Sequence, residues 1–266
     1  KRQNGSHPNL HIENISPVLA EMRTVKRPEE IECMRKAVAN AKAGIDAMMS
    51  GLHPGMYEYQ LQALCHYRLH DMGAMKAAPM VAAGGNAVIL HYPDCAAEIM
   101  EDDLVLIDFC PRFNYYASDI SRAFPATGKF SPRQKEFYQI ALNANKQMID
   151  AVKPGMTFVR MNELCREFLG EGMRSIGLIK SQSEVERYYY HNVSHYIGLG
   201  IHDVGNTDLP LPENSVLTID AGIYVAEEGI GMRVEDDVLI TADGSENLSI
   251  SIIKEIDEIE AFMASG

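Results

Sequence analysis

Three carboxylates lie inside strongly apolar stretches of the sequence, where an unpaired charge is costly. Asp108 ends the run Leu-Val-Leu-Ile-Asp, Asp220 ends the run Val-Leu-Thr-Ile-Asp, and Glu235 lies in a third such run. An ionised carboxylate in a low-dielectric interior requires a cation beside it. Because lysine and arginine are scarce around Asp108 and Asp220, a metal ion is the favoured cation, and this pattern is typical of an enzyme.

Further residues of metal-ligand type lie near these carboxylates in the sequence. Asp119 follows Asp108 after a turn-like stretch, so a strand, a hairpin and a returning strand would bring both carboxylates to one pocket. A glycine-rich apolar segment carries three imidazoles, those of His191, His195 and His202. One of these imidazoles and the four carboxylates named so far would form a ligand set of one nitrogen and several oxygen atoms. Such a set favours Mn²⁺, Fe²⁺, Co²⁺ or Zn²⁺, and four carboxylates can bridge two such ions.

Other candidate residues have simpler interpretations. His66 and His70 lie one helical turn apart, but no third ligand accompanies them, which favours a surface pair. Cys110 lies close to Asp108, but no basic environment marks it as a nucleophile, and it is predicted to be a core thiol. Asp236 and Asp237 are predicted to be solvated, unless one of them holds a neighbouring arginine.

Two helices are predicted to precede the first of the buried carboxylates. Arg27-Pro28-Glu29-Glu30 indicates a helix start, since proline and acidic residues favour the first turn, and Pro54-Gly55 lies beyond its end. A second helix is predicted from about Glu58 to Met72, whereas residues before Arg27 are polar and predicted to be irregular. The first helix shows one apolar face at helical spacing, formed by Ile31, Met34, Val38, Ala41, Ile45 and Met48.

The second part of the sequence repeats this organisation. Ser131-Pro132-Arg133-Gln134 is typical of a capping box, and another apolar helical face follows it. Each part also places a histidine, His91 or His202, shortly before its apolar aspartate. These matches predict two similar halves joined near residue 130, with both aspartate-bearing strands at a shared pocket. Three pairs of segments agree in register: Ala37–Asp46 with Ala141–Asp150, Pro54–Cys65 with Pro154–Cys165, and Glu101–Asp108 with Glu213–Asp220.

Composition narrows the classes of partner. A chain of 266 residues can build a sizeable core, and its formal net charge of −13 argues against a nucleic-acid groove or an anionic membrane surface as a partner. The five cysteines are odd in number and never form a Cys-x-x-Cys pair, which favours a reduced, intracellular protein. We therefore predict no nucleic-acid partner, no membrane partner and a cytoplasmic location.

Three motifs together resemble the pita-bread metallopeptidases, and within them the proline-specific branch of aminopeptidase P and prolidase. The resemblance covers about residues 25–262 and implies an α+β fold, in which two pseudo-symmetric halves share a central curved antiparallel sheet flanked by helices. It also implies that residues 1–27 are a linker after a separate N-terminal domain. Residues 28–266 would then be the catalytic domain, with halves at about 28–130 and 131–262. The motifs are His191-x-x-Ser-His195-x-x-Gly-x-x-x-His202-Asp, Ile107-Asp108 to Ala117-Ser-Asp119-Ile, and Gly231-Met-Arg233-Val-Glu235-Asp-Asp.

The resemblance implies a role for each matching residue. One group would be the ligands of a dinuclear metal site, in which Asp119 and Glu235 bridge both ions. A second group matches outer histidines that handle the substrate and the developing oxyanion, and Arg233 matches an arginine that steadies a ligand carboxylate. The implied ligands are Asp108, Asp119, His195, Asp220 and Glu235, and the implied outer histidines are His91, His191 and His202.

The sequence departs from the family pattern at several of these positions. Asp220 stands where the family has glutamate, so its ion, shared with His195, is expected to bind more weakly. Phe109-Cys110 replaces small residues, and Asn192 replaces a glycine.

The implied activity is hydrolysis of an N-terminal Xaa-Pro peptide bond by a metal-bridged hydroxide. The implied cofactors are two divalent ions, with Mn²⁺ expected first and Co²⁺, Zn²⁺ or Fe²⁺ as alternatives. The implied partners are a peptide with proline at its second position and a second copy of the chain in a homodimer. Two other hypotheses remain open: a binding module that has lost its metal through Asp220, and a creatinase-like, metal-free amidinohydrolase that uses a histidine as acid and base. The latter is less favoured because four of the five ligand positions are unchanged.

Overall fold

The order of elements repeats along the chain, with a pair of helices followed by antiparallel strands. The structure is a computed structural model that describes residues 13–74 and 77–265. Helix α1 (Ser16–Thr24) precedes the two halves. The first half contains helices α2 (Pro28–Gly51) and α3 (Glu58–Asp71), then strands β1 (Met80–Ala83), β2 (Leu104–Phe109), β3 (Arg112–Phe113), β4 (Tyr116–Ala117) and β5 (Ile120–Pro125). The second contains helices α4 (Pro132–Ala151) and α5 (Phe158–Ser175), strands β6 (Val216–Val225), β7 (Ile230–Ile240) and β8 (Ser245–Asn247), and helix α6 (Ile256–Ala264).

The two long helices α2 and α4 begin and end alike. Both carry a proline in the first turn, and the predicted apolar face of α2 is buried throughout. At α4, Ser131 Oγ accepts a hydrogen bond from Gln134 N at 3.2 Å, and Gln134 Oε1 accepts one from Ser131 N at 2.8 Å. This is the predicted capping box. After each helix a Pro-Gly turn reverses the chain, and Gly55 and Gly155 adopt φ values of +84° and +86°, which favour glycine.

Matching backbone hydrogen bonds confirm that the two halves are similar. Gly55 N donates to Ile99 O at 2.8 Å in the first half, and Gly155 N donates to Leu211 O at 3.0 Å in the second. Ile99 N in turn donates to Met56 O at 2.7 Å, and Leu211 N donates to Met156 O at 2.8 Å. The bonded residues lie in, or immediately before, segments that the sequence repeat aligned, so the repeat describes a real structural pseudo-symmetry.

Two antiparallel three-stranded sheets place the acidic residues. The strand orders are β1-β2-β5 and β6-β7-β8, and β5 packs beside β7 where the sheets meet. Across the ladders, Asp108 lies opposite Ser121 and Asp220 lies opposite Glu235. Side chains directly opposite each other share a face of the sheet, so each aspartate lies on the same face as its partner.

A tight hairpin returns the chain from Asp108 to Asp119, as the sequence predicted. β3 and β4 pair through a turn at Asn114 and Tyr115, whose φ values are +46° and +71°. Two consecutive residues with positive φ are the signature of a type I′ turn, whose twist matches that of paired strands. Asp119 therefore lies immediately before β5, beside the end of β2.

The segment before α2 differs from the sequence-based expectation. The predicted irregular structure is wrong for α1, which carries a proline in its first turn, although its sequence lacks a clear apolar repeat. Arg23 forms an ion pair with Asp203, and Lys26 N donates to Asn214 O at 2.8 Å, so this segment contacts the second half. Residues 1–12 of the expected linker lie outside the described residues, and the domain boundaries stay a prediction. Within the described ranges no helix is long and apolar enough to cross a membrane.

Candidate metal centre

A cavity of about 310 Å³ lies where the two halves meet, and all nine predicted site residues line it. Three of them come from the first half and six from the second. The structure therefore brings the whole predicted set together, although the role of each residue remains a prediction. The nine are His91, Asp108 and Asp119, then His191, His195, His202, Asp220, Arg233 and Glu235. His66 and His70 belong to neither of the ligand clusters found among the described residues.

Asp119, His195 and Glu235 form the first cluster of candidate ligands. One donor atom from each lies within 4.8 Å of the other two. His195 Nε2 is 3.5 Å from Asp119 Oδ2 and 4.0 Å from Glu235 Oε1. Ser121 Oγ donates to Glu235 Oε2 at 2.8 Å and orients that carboxylate. Donors at such separations can share one ion, because metal bonds to oxygen and nitrogen are about 2.0–2.2 Å long.

Asp108, Cys110 and Asp119 form the second cluster. Arg233 Nη2 donates to Asp108 Oδ2 at 2.6 Å, as expected for an arginine that steadies a ligand carboxylate. Cys110 Sγ donates to Asp119 Oδ1 at 2.9 Å and lies 3.6 Å from Asp108 Oδ1. The prediction of a core thiol is thus wrong, because the chain leaves β2 at this residue and turns the thiol toward two acids. Burial, followed by the charges of Asp119 and Asp108, raises the pKa of the Cys110 thiol well above its usual value.

Asp220 occupies the same cavity but is less completely bonded. Its Oδ2 lies 3.4 Å from His191 Nδ1, while its Oδ1 is buried and has no hydrogen-bond partner in the described part of the chain. A buried carboxylate oxygen without a partner costs about 1–3 kcal/mol or more. Such an atom fits a site at which an added cation supplies the missing interaction.

The pKa values of the neighbouring acids also indicate an excess of negative charge. Burial, then the charges of Asp119 and Asp220, raises the pKa of Glu235 well above its usual value. Burial also raises the pKa of Asp108 to about 6, although Arg233 opposes this. Burial acts in the same direction on Asp119, but hydrogen bonds from His195 and Cys110 leave its pKa below the usual value. The acids exceed their cations, so the residues present fit divalent metal ions.

The predicted outer residues are connected by a tyrosine that the sequence did not single out. His191 Nε2 and Tyr224 OH are 2.8 Å apart, and Arg233 Nη1 lies 3.5 Å from the same hydroxyl. His202 stacks on His195, with ring centroids 4.0 Å apart and planes inclined by 11°. Tyr224 lies in an apolar strand where the sequence indicates only packing, so no local signal marks it.

Asp236 and Asp237 correct a second prediction, because both are fully buried in β7. Asp236 accepts hydrogen bonds from Arg122 Nη2 at 2.7 Å and from Lys254 Nζ at 2.6 Å. Burial opposes ionisation, yet these two cations hold the pKa of Asp236 below its usual value. Asp237 accepts the backbone N–H of Asp119 at 3.2 Å and thereby fixes that candidate ligand.

The chain is similar to known proteins over nearly its whole length. An Xaa-Pro aminopeptidase of Escherichia coli strain K12 is 34% identical over 286 residues, which cover 100% of this chain and 65% of that protein. A structure from Bacillus anthracis, provisionally assigned as an aminopeptidase P, is 43% identical with a TM-score of 0.97 and covers 99% of this chain and 64% of its own. Aminopeptidase P from E. coli with the inhibitor Pro-Leu is 34% identical with a TM-score of 0.91, over 99% of this chain and 66% of its own.

These likenesses confirm the expected pita-bread fold, while the chain spans less than two thirds of the length of these relatives. Proteins of the matching family are metallopeptidases, which use divalent metal ions, in agreement with the ligand clusters at the cavity. The family profile matches residues 32–242, which include every predicted site residue. The chain belongs to metallopeptidase family M24.

Proposed function

We propose that this chain carries a metal-dependent aminopeptidase activity that hydrolyses an N-terminal Xaa-Pro bond. The observation that carries the proposal is the convergence of Asp119, His195 and Glu235, whose donor atoms come from both halves and lie within 4.8 Å of one another. The names of the relatives support the choice of an Xaa-Pro substrate. A peptide with proline at its second position is thus the proposed partner.

Two divalent ions are the proposed cofactors, with Mn²⁺ expected and Co²⁺, Zn²⁺ or Fe²⁺ as alternatives. Asp108, Asp119 and Glu235 would hold one ion, and Asp119, Glu235, His195 and Asp220 the other. When bound, such ions lower the pKa of water and polarise a carbonyl oxygen. Arg233 keeps Asp108 in place through its 2.6 Å hydrogen bond, and Ser121 does the same for Glu235 at 2.8 Å.

The histidines that line the cavity handle the substrate in this proposal. The imidazole of His202, which stacks on His195, would donate an N–H to the oxyanion that develops at the scissile carbonyl. Cleavage before proline leaves an imino nitrogen that needs a proton. Asp220 or Glu235 would pass it from the attacking water to that nitrogen, and His91 would assist. His191, held by Tyr224 at 2.8 Å, lies beside Asp220 and limits its movement.

The test measures hydrolysis by metal-stripped protein after addition of Mn²⁺ or Co²⁺. Peptides Ala-Pro-Ala and Ala-Ala-Ala, incubated separately, distinguish a proline-specific activity from a general one, and mass spectrometry identifies the product. We expect release of alanine from the first peptide only. Absence of hydrolysis with either ion and with longer Xaa-Pro peptides would overturn the proposal.

A binding module that lacks metal is the second candidate, because Asp220 is one methylene shorter than the family's glutamate. Elemental analysis of purified protein separates the two, since a binding module would retain neither ion.

A homodimer and a cytoplasmic location remain proposals. Light scattering tests the homodimer. Cell fractionation tests the cytoplasmic location, which we propose because all five cysteines are free.

A further inference from the structure

Cys110 presents a sulfur atom to two of the candidate metal ligands. Its Sγ lies 2.9 Å from Asp119 Oδ1 and 3.6 Å from Asp108 Oδ1. One donor atom from each of the three residues lies within 4.8 Å of the other two. The sulfur atom therefore lies within coordinating reach of an ion held by both carboxylates.

The local chain path keeps the sulfur in this position. β2 ends at Phe109 and the chain leaves the strand at Cys110, so the two side chains have different surroundings. The Phe109 ring packs against α2 so closely that a Cβ added to Gly44 would lie 2.7 Å from its Cε1 atom. Phe109 is fully buried, whereas Cys110 is only partly buried beside the cavity residues Asp108 and Asp119.

We propose that Cys110 is a sulfur ligand of the ion held by Asp108 and Asp119, which makes this position prefer Zn²⁺ or Co²⁺ to Mn²⁺. The inference rests on the metal centre of the proposed function. Thiolate sulfur selects softer ions such as Zn²⁺, whereas carboxylates suit Mn²⁺. On binding, the S–H bond breaks as the sulfur–metal bond forms, and the proton passes to the solvent.

The second ion position has a different set of donors. Asp119, His195, Asp220 and Glu235 offer only oxygen and nitrogen, and no described cysteine joins the cluster that contains His195. The two positions are therefore unequal: a softer ion occupies the one beside Cys110, and Mn²⁺ suits the other.

Titration of the metal-stripped chain with Co²⁺ tests the proposal, because a thiolate bound to Co²⁺ gives a charge-transfer absorption band in the near ultraviolet. We expect the band to saturate at one Co²⁺ per chain and to disappear in Cys110→Ser and Cys110→Ala. It should persist in Cys33→Ser, a matched control in which another partly buried thiol is removed. The ratio of Zn²⁺ to Mn²⁺ affinity should fall at least about tenfold in both Cys110 variants.

Calorimetry on the same samples separates this proposal from the proposed function. If Co²⁺ binds without the band in the unsubstituted chain, or if the band survives in Cys110→Ser, the sulfur ligand is wrong and the metal centre stands. If no ion binds at all, both proposals fail. Thermal unfolding of the metal-free variants verifies folding, and Cys110→Ala provides a second test should the serine variant unfold.

Discussion

The two halves share one arrangement of helices and strands but bond their central aspartates differently. Asp108 is held by an arginine of the protein, since Arg233 donates to its Oδ2 at 2.6 Å. Asp220 keeps a buried Oδ1 with no partner among the described residues, and its strand partner is Glu235 rather than a serine. The acid of the first half is thus neutralised by an arginine of the second half, while the second half concentrates acids that need an added cation.

The halves also differ in which element, the helix or the strand, carries the larger side chain at equivalent positions. The sequence repeat aligns Gly44 of α2 with Met148 of α4, and Phe109 after Asp108 with Ala221 after Asp220. All three of the apolar residues are fully buried. The large side chain therefore comes from the strand in the first half and from the helix in the second, a change that conserves volume.

The largest expected effect follows removal of the charge at the point where the halves meet. Glu235→Gln keeps the size of the side chain but removes one candidate ligand charge, which is expected to forfeit several kcal/mol of transition-state stabilisation, or about 10³-fold in kcat/KM. Steady-state hydrolysis of Ala-Pro-Ala measures it. Glu246→Gln, at an exposed residue of β8, should leave the rate within about twofold and is the control. A loss below tenfold for Glu235→Gln would remove this acid from the ligand set.

Lengthening the two central aspartates should have opposite effects. Asp220→Glu lets the carboxylate reach further into the cavity, so affinity for the more weakly bound ion should rise about 10–100-fold. Asp108→Glu should lower ion affinity by a similar factor, because it displaces a carboxylate that Arg233 already fixes at 2.6 Å. Isothermal titration with Mn²⁺ measures both. A fall in affinity for Asp220→Glu would indicate a site adapted around aspartate.

The packing difference predicts an effect on stability. Gly44→Ala would place a Cβ 2.7 Å from Phe109 Cε1, so the free energy of unfolding should fall by about 1–3 kcal/mol. Denaturant unfolding of the metal-free chain measures it. The double variant with Phe109→Leu should recover only part of the loss, because the added Cβ would still lie 2.9 Å from Cys65 Sγ. If the single and double variants differ only additively, the contact does not limit this helix.

The smallest expected effect concerns Lys26, which precedes the first half and lies 3.7 Å from Asp203 of the second. Burial, opposed by Asp203, lowers the Lys26 pKa from 10.5 to about 8. Between these values the unfolded chain binds more protons than the folded chain, so this residue makes the free energy of unfolding rise with pH from about 8 to 10.5. Denaturant unfolding across this range should show a shallower rise in Lys26→Met, and an unchanged slope would contradict the prediction.

The sequence predicted those features that depend on local patterns. Apolar periodicity located α2 and α4, the Pro-Gly turns ended them, and the repeat correctly implied that two aspartate-bearing strands meet at one pocket. An acidic residue at the end of an apolar strand is a strong local signal of a functional site, because only a few partners can neutralise its charge. The remaining candidates, including Arg233 and the outer histidines, came from the family resemblance, and all nine residues line the same cavity.

Features whose partners are distant in the chain were missed. Asp236 looks solvated in the sequence because its cations, Arg122 and Lys254, are contributed by other segments. Tyr224 resembles ordinary packing until His191 is placed beside it. Cys110 looks like a core thiol because nothing local shows that the hairpin turns it toward Asp119. Each depends on tertiary contacts that no window of sequence contains.

The contact between β5 and β7 has a consequence for assembly. Asp119 precedes β5, while Glu235 lies on β7 and accepts the Ser121 hydroxyl across that boundary. Neither half alone holds all the proposed ligands. A break in the backbone after residue 130 would therefore yield two fragments that regain ion affinity only by reassociating. Bound metal would then hold the two halves together, and chelation should weaken their association before it unfolds either half.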